Sequence, residues 1–245
     1  MTLLQGKAAI VYGGSGKVGG EVARVFAREG ARVFLAGRKI DELEKHASEI
    51  GAAGADLVDA TDRGQVEAHL EKVGVVDVSV NAVSLHGTVM GTPLTGMDVI
   101  DYVAPVSYGL RAHFTTATAT ARRMVTQGSG VILTFSTTTA KLSGELRRKH
   151  LPGGFGTACA AIESLTEDLA AEVGPRGVRV VCLRPDALPE TWGGAAPDPA
   201  MVATTQLGRM PTLNQVAETA AFVASDRGGA LTRTVINLSC GSILD

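Results

Sequence analysis

The chain has 245 residues, of which 45% are hydrophobic, 20% charged and 4% aromatic, and its formal net charge is −2. This length fits one α/β domain with a sizeable core, and the near-neutral charge gives no reason to expect a nucleic acid or a membrane surface as partner. The cysteines, Cys159, Cys182 and Cys240, lie far apart in the chain, which predicts a reducing cytoplasm rather than a disulfide framework.

Short apolar segments alternate with segments of helical periodicity from one end of the chain to the other. The predicted strands are residues 8–12, 32–36, 55–58, 75–80, 131–135, 178–183 and 234–238. The predicted helices are residues 18–29, 40–50, 63–73, 98–126, 155–173 and 213–224. Fully apolar strands between helices are typical of a parallel sheet covered on both faces. The pattern therefore predicts an α/β fold, a doubly wound parallel sheet of about seven strands, in one domain over residues 1–245.

Two long segments interrupt this alternation. Residues 137–154 are polar and basic, with Arg147, Arg148, Lys149 and His150 in succession. Residues 185–211 are rich in proline, glycine and alanine and contain the chain's tryptophan, Trp192. Long loops in a compact domain are more often functional than accidental, so we expect both to be substrate loops.

A glycine-rich turn connects the first predicted strand to the first predicted helix. Its residues run Gly13-Gly14-Ser15-Gly16-Lys17-Val18-Gly19, and the second, fourth and seventh of them fit the pattern G-x-G-x-x-G. Glycines permit a tight turn and a close approach of backbone to a pyrophosphate, and the helix N-terminus offers N–H groups to the phosphates. The position of the turn after a strand favours a Rossmann-type dinucleotide site over a turn without ligand.

Several further segments carry a family resemblance. Residues 59–62 are similar to a D-V-T-D motif, and residues 77–84 to D-I-L-V-N-N-A-G, of which Asn81 is retained. Near the end, residues 208–211 and 222–226 are similar to G-R-x-G-x-P and F-L-A-S-D. The glycine turn is similar to T-G-x-x-x-(A/G)-x-G, with Tyr12 in place of the threonine and Lys17 in place of a glycine. Together these segments make the chain resemble the short-chain dehydrogenase/reductase family over nearly its whole length.

The resemblance implies a bound nicotinamide dinucleotide. It assigns the following cofactor-binding residues: Gly13, Ser15, Gly16, Lys17, Val18, Gly19, Arg38, Asp59, Ala60, Asn81, Ala82 and Leu188. Members that prefer NAD carry an acid after the second strand, whereas a basic residue there suits the 2′-phosphate of NADP. Arg38 and Lys17 therefore favour NADP(H) over NAD(H), the alternative being two ordinary surface cations.

The residues that usually perform the family's chemistry are largely missing. Family members use an asparagine, a serine and a Y-x-x-x-K pair, in which the tyrosine transfers a proton while hydride moves. Phe155 stands in the tyrosine position, Cys159 in the lysine position and Gly109 in the asparagine position. Thr137 occupies the serine position, with Ser136 beside it, so a hydroxyl is kept.

Other residues near the expected pocket can substitute. His150 lies five residues before Phe155 and can act as an acid or base near neutral pH, which makes Ser136, Thr137 and His150 the candidate catalytic residues. Alternatively the basic run around His150 is a solvated surface, or it binds an acidic or carrier-bound substrate. Tyr108 is either close to the cofactor or part of a subunit contact. The histidines have no metal-ligand spacing, so we expect no metal.

Three hypotheses about function remain open. The chain is an NADP(H)-dependent oxidoreductase of a small carbonyl or alcohol with an atypical proton donor, or a non-redox enzyme of the lyase or dehydratase type on the same scaffold. In the third hypothesis it binds the cofactor without turnover. In each case we expect a cytoplasmic homodimer or homotetramer that acts on or binds a small molecule, with neither nucleic acid nor membrane as partner.

Overall fold

The strands of this protein lie side by side in one parallel sheet. The computed structural model describes residues 2–85, 90–193 and 195–244. The strands are β1 (Ala8–Tyr12), β2 (Arg32–Gly37), β3 (Gly54–Leu57), β4 (Val78–Asn81), β5 (Gly130–Phe135), β6 (Val178–Pro185) and β7 (Thr234–Leu238). Their order in the sheet is β3-β2-β1-β4-β5-β6-β7. The predicted seven-stranded, Rossmann-type parallel sheet is therefore confirmed.

Helices connect the strands and cover both faces of the sheet. They are α1 (Lys17–Arg28), α2 (Ile40–Ile50), α3 (Arg63–Val73), α4 (Val99–Pro105), α5 (Arg111–Gln127), α6 (Gly144–His150), α7 (Gly153–Val173), α8 (Pro199–Val202) and α9 (Leu213–Ala224). The carboxylate of Asp62 begins α3 by accepting the N–H of Gln65 at 3.1 Å, and Thr212 begins α9 in a capping box with Gln215. None of the described helices is long and apolar enough to cross a membrane.

Two apolar clusters bury the sheet. On one face, Val22 and Phe26 of α1 and Val216 of α9 pack against the strands. On the other face, Leu70 of α3 and Met124 of α5 do the same. Because both faces are covered, every residue of β1 is buried, which is why the strands read as continuous apolar runs.

The order of the strands reverses between β1 and β4. Ala9 of β1 pairs with Val33 of β2 on one side and with Val78 of β4 on the other. In doubly wound sheets a ligand cleft forms at this point, beyond the carboxyl ends of the strands. The cleft of this protein therefore lies beyond Tyr12 and Asn81, the last residues of β1 and β4.

Two predicted elements differ from the structure by more than a shift of one or two residues at an end. The fourth strand was expected over residues 75–80, but β4 begins only at Val78, because the N–H of Val76 donates to the side-chain carbonyl of Gln127 at 3.1 Å instead of joining the sheet. The long helix predicted over residues 98–126 is interrupted by a π-helical turn, Val106–Leu110. This turn follows Pro105, whose missing N–H breaks the regular α-helical ladder.

The segment 137–154, expected to be a loop, contains a short 3-10 turn at Thr138–Ala140 and the helix α6. The prediction of an irregular loop was wrong, because charged residues do not by themselves indicate a solvated loop. Glutamate, leucine, arginine and lysine are also strong helix formers, and they follow one another from Glu145 to Lys149. The second segment, 185–211, contains the 3-10 turn Pro189–Trp192 and α8.

A third, smaller apolar cluster lies under the cleft. It contains Cys159 of α7 and Cys182 of β6 together with Leu85 and Ile162, and Phe155 packs against it. Both thiols are fully buried, whereas Cys240 is partly exposed. Burial raises the pKa of both buried thiols, that of Cys182 to about 11. These two cysteines therefore behave as apolar packing residues.

We expect a thiol-specific disulfide reagent at pH 8 to label only Cys240 in the native protein, because Cys159 and Cys182 are inaccessible and protonated. Unfolding in guanidinium should expose all three thiols to the reagent. The Cys240→Ser variant is the control, since its native form should not react. Labelling of three thiols in the native protein would contradict the burial of Cys159 and Cys182.

Candidate functional site

The glycine turn after β1 brings the N-terminus of α1 against the end of β4. Gly13 has a φ of 81°, and a side chain on it would collide with the backbone carbonyl of Ala82. A side chain on Gly19 would collide with the carbonyl of Gly13. The helix begins at Lys17 after Gly16, and no side chain caps it, so its first N–H groups have no side-chain acceptor within the described chain. This uncapped cradle fits the phosphates of a dinucleotide.

A cavity of about 250 Å³ lies beyond the end of β2, and we call it the β2 cavity. Among the residues that line it are Gly13, Ser15, Arg38, Ala60 and Tyr108. The guanidinium carbon of Arg38 lies 4.9 Å from the centre of the Tyr108 ring, a cation–π contact that restricts the Arg38 side chain. Burial raises the pKa of Tyr108 above its ordinary value, so its ring stays neutral beside that cation.

A second cavity of about 580 Å³ lies beyond the ends of β4, β5 and β6, and we call it the β5 cavity. It begins at Gly16, Lys17 and Val18 and extends past Ser136 and Thr137 to His150, Phe155 and Leu188. The two cavities share wall residues, among them Gly16 and Ala82. A ligand that fills both would run along the carboxyl edge of the sheet with its middle at the glycine turn.

The fold brings most of the predicted site residues together. Those on the β2 cavity are Gly13, Ser15, Gly16, Arg38, Ala60 and Ala82. Those on the β5 cavity are Gly16, Lys17, Val18, Ala82, Ser136, Thr137, His150, Phe155 and Leu188. These sets come from separate parts of the sequence, and only the parallel sheet places them at one edge.

Four predicted residues do not line either cavity. Gly19 is buried beneath the glycine turn. The carboxylate of Asp59 accepts the N–H and the hydroxyl of Thr61, at 2.9 and 2.8 Å, and so closes its own turn. Asn81 is fully buried, and within the described chain its amide makes no hydrogen bond. Cys159 lies behind the wall in the buried cluster.

Apolar packing dominates at the three positions that the sequence resemblance assigns to the tyrosine, the lysine and the asparagine. The ring of Phe155, which has no proton to transfer, lines the β5 cavity. Behind it, the Cys159 sulfur is 3.5 Å from the Thr137 hydroxyl. At Gly109 there is no room for an asparagine, because a side chain there would collide with Leu85.

The hydroxyl groups on the floor of the β5 cavity are bound to other groups of the protein. Ser136 donates to Oε1 of Glu163 at 2.7 Å. The hydroxyls of Thr137 and Thr139 are hydrogen-bonded to each other at 2.5 Å. Thr138 donates to Oδ1 of Asp186 at 2.9 Å. Ser136 and Thr138 would have to exchange a partner before they could donate to a substrate, but each of these hydroxyls keeps the capacity to accept a hydrogen bond.

A buried ion pair holds this floor from behind, and it was missed in the sequence. Nε and Nη2 of Arg184 donate to the two oxygens of Glu163, at 2.7 and 2.9 Å, and both side chains are almost fully buried. A signal was present, because Arg184 is a charge within the apolar strand β6 and Glu163 lies one helical turn after Cys159. The pair anchors Ser136 and joins α7 to β6.

Asp186 is a second residue missed in the sequence. It follows β6 directly, at the carboxyl edge of the sheet, and lines the β5 cavity. Its Oδ1 accepts the N–H of Ala187 at 2.7 Å as well as the Thr138 hydroxyl, and its Oδ2 accepts the hydroxyl of Ser242. These donors hold the carboxylate in one orientation, and its position after a strand end was the signal that could have found it.

Of the basic residues at the end of α6, Arg147 and Lys149 have partners within the protein, and His150 lines the β5 cavity. Nε of Arg147 donates to the carbonyl of Leu142 at 2.6 Å, and Lys149 lies 3.7 Å from the carboxylate of Asp198. Of the four basic residues of this turn, His150 alone is in the wall of the β5 cavity as described. Within the described ranges, no group of three or more histidine, cysteine or acidic residues could hold a metal ion; His86 lies outside them.

We expect the variants Glu163→Leu and Arg184→Leu each to lower the free energy of unfolding by about 3–5 kcal/mol, because each leaves a buried charge without its partner. The double variant should lose much less than the sum of the two. Urea unfolding followed by circular dichroism measures all three. The control is Arg63→Leu, which removes one partner of the exposed Arg63–Glu67 pair and should change stability by less than about 1 kcal/mol. Additive losses in the double variant would argue against a coupled pair.

Known proteins resemble this chain in sequence and in structure. A family model described as enoyl-(acyl carrier protein) reductase matches residues 15–242. Galactitol 2-dehydrogenase (L-tagatose-forming) of Cereibacter sphaeroides is 28% identical over 97% of this chain and 95% of its own length. A 3-oxoacyl-(acyl-carrier-protein) reductase of Chlamydia muridarum is 28% identical over 98% of each chain.

Comparison with solved structures agrees with the sequence matches. A solved structure described as a short chain dehydrogenase/reductase family protein superposes with a TM-score of 0.84, at 29% identity and over 98% of each chain. The family model covers nearly all of this chain, and the relatives are oxidoreductases by name. Sheet order, glycine turn and sequence agree, and the chain belongs to the short-chain dehydrogenase/reductase family.

Proposed function

We propose that this protein is an NADP(H)-dependent oxidoreductase that acts on a small carbonyl or alcohol and uses His150 for proton transfer. The observation that carries the proposal is the position of Arg38, a guanidinium in the wall of the β2 cavity where NAD-preferring relatives have an acid. The cavity adjoins the glycine turn, and the phosphate cradle of that turn fits a dinucleotide.

The charges around Arg38 support NADP(H) over NAD(H). Lys39, the next residue, is paired with Glu42 at 2.8 Å, so its charge is partly neutralised. Arg38 is held over the Tyr108 ring, which reduces the conformational entropy that the side chain loses when it binds a phosphate. Guanidinium groups bind phosphate through paired hydrogen bonds, which an NAD ribose cannot match.

The remaining cofactor contacts follow from the same edge of the sheet. The first N–H groups of α1 and the ammonium of Lys17 would bind the pyrophosphate, with Ala82 and Leu188 along the groove. The turn residues Gly13 and Gly19 would let the chain approach it closely. Asp59 and Asn81 would not contact the cofactor directly. They would support its groove by stabilising the turn after β3 and the end of β4. A bound nicotinamide supplies or accepts the hydride.

His150 is the best placed group for the proton. Among the described residues of the β5 cavity, the titratable side chains are Lys17, His150 and Asp186. Lys17 lies at the phosphate cradle, and Asp186 already accepts three hydrogen bonds. His150 can give a proton to a carbonyl oxygen or take one from an alcohol, and Ser136 and Thr137 orient that oxygen.

One observation favours the third hypothesis, a cofactor-binding protein without turnover. Leu85, Phe155 and Cys159 convert the family's catalytic positions into packing, which preserves the fold but removes the usual proton relay. Detection of NADPH binding without turnover on any carbonyl or alcohol would decide for that hypothesis.

We also propose that the protein is a homo-oligomer. The outer faces of α5 and α7 border a groove whose lining includes Phe114, Val125 and Leu169, beside threonines and the charged residues Arg122, Glu172 and Arg176. The Phe114 side chain in this groove is 55% exposed. Burial of this face against a second copy would remove apolar surface from water.

We expect NADPH to bind more tightly than NADH, and Arg38→Ala to weaken NADPH binding by about tenfold to a hundredfold, because it removes charge-assisted hydrogen bonds to the 2′-phosphate. NADH binding should barely change. Tyr108→Leu should weaken NADPH binding by a smaller factor, since it only releases Arg38. Titration by nicotinamide fluorescence measures both, with Lys39→Ala as the matched control at the same strand end. Equal losses for both nucleotides would show that Arg38 does not contact the phosphate.

We expect His150→Ala to lower kcat/KM by about 10²–10⁴-fold while NADPH affinity stays within twofold, because the variant removes only the proton-transfer group. The matched control is Lys149→Ala, the neighbouring residue, whose side chain pairs with Asp198 outside the cavity wall. Steady-state rates of NADPH oxidation with a panel of ketones measure both variants. Unchanged turnover in His150→Ala would remove His150 from the mechanism.

A further inference from the structure

The β5 cavity has an apolar wall. It is formed by the side chains of Leu85, Met90, Leu142, Phe155, Trp192 and Met201. They come from four separate parts of the fold, namely the segment before α4, the segment before α6, the start of α7, and the segment between β6 and α9. We call this set the apolar wall.

Several of the described polar groups near the apolar wall are already bound to other groups of the protein. Ser136 donates to Glu163, and Thr138 to Asp186. Thr191 donates to the carbonyl of Leu188 at 2.7 Å. Among the described residues, a substrate with many hydroxyl groups would therefore find few donors to replace the hydrogen bonds to water that it loses in this part of the cavity.

The charges of α6 do not change this character. Lys149 is paired with Asp198, and Arg147 with the carbonyl of Leu142, so neither cation lines the described wall. Within the described lining of the β5 cavity, a carboxylate or phosphate on the substrate would therefore meet neither Arg147 nor Lys149. Methionine and tryptophan, in contrast, adapt their shape to irregular apolar groups.

We propose that the apolar wall binds the hydrocarbon body of an uncharged ketone or secondary alcohol whose single oxygen points to His150 and the floor hydroxyls. This inference rests on the proposed function, because it names the substrate class of the same site. In the oxidative direction the alcohol loses a hydride from carbon to NADP⁺ and its hydroxyl proton to His150, which releases it to water. The products are the ketone, NADPH and one proton.

Trp192 makes the proposal directly measurable, because it is the chain's one tryptophan and lies in the apolar wall. The protein is titrated with 4-tert-butylcyclohexanol, which does not absorb at the tryptophan wavelengths, with and without NADP⁺. We expect a saturable blue shift of the emission as the alcohol displaces water from the indole. Cyclohexanol, which lacks the tert-butyl group, should bind at least about tenfold more weakly, and erythritol should cause no shift.

Variants of α8 separate binding at the apolar wall from a general effect on the protein. Met201→Gln keeps the size of the side chain but makes it polar, and we expect about tenfold weaker binding of the alcohol. Ala200→Gln makes the neighbouring exposed residue polar outside the wall, and it should leave binding within twofold. Thermal unfolding followed by circular dichroism checks that both variants are folded.

The outcomes distinguish this inference from the proposed function. The apolar substrate class is wrong if NADPH binds but erythritol binds as tightly as 4-tert-butylcyclohexanol, or if Met201→Gln does not weaken binding of that alcohol. The cofactor proposal stands in either case. If NADPH does not bind at all, the proposed function is wrong. The shift of Trp192 without nucleotide then still tests the apolar wall.

Discussion

At Gly13 the backbone turns with a φ of 81° directly against the carbonyl of Ala82, and Gly19 packs with the same closeness on Gly13. These contacts bring β1, the end of β4 and the start of α1 together at the point where the strand order reverses. The phosphate cradle, Lys17 and the shared wall of both cavities all derive their positions from this approach. A single added methyl group at either glycine would push α1 away from the sheet.

Beyond the turn, apolar packing surrounds the three positions to which the sequence resemblance assigns a proton donor, a cation and an amide. These positions hold Phe155, Cys159 and Gly109, and Leu85 occupies the space beside Gly109. The floor cation of this protein is Arg184, which is buried and neutralised by Glu163 rather than directed at a ligand. The result is a cavity with a hydrogen-bonded floor and apolar sides, with His150 of α6 in its wall.

Local patterns predicted much of the fold because the signals are themselves local. The bounds expected for β1, β7, α2, α3 and α9 agree with the structure. Asp62 and Thr212 illustrate the reason, since each caps its helix through neighbours three residues away. The failures have a different origin. The start of β4 depends on a hydrogen bond from Val76 to Gln127, which lies 51 residues further along the chain. In α6, the charged residues fit both a solvated loop and a helix, so composition alone does not distinguish the two.

Spacing and residue type along the chain were enough to predict the family and the sheet with its glycine turn. They also supplied Arg38 and His150 as candidates, together with the interpretation that Phe155 and Cys159 replace a tyrosine and a lysine. The folded structure was needed to show that Asn81 and Cys159 lie behind the walls, that Glu163 and Arg184 form a buried pair, and that Asp186 faces the cavity. These facts depend on contacts between residues far apart in the chain, which parallel strands align only once the whole sheet has formed.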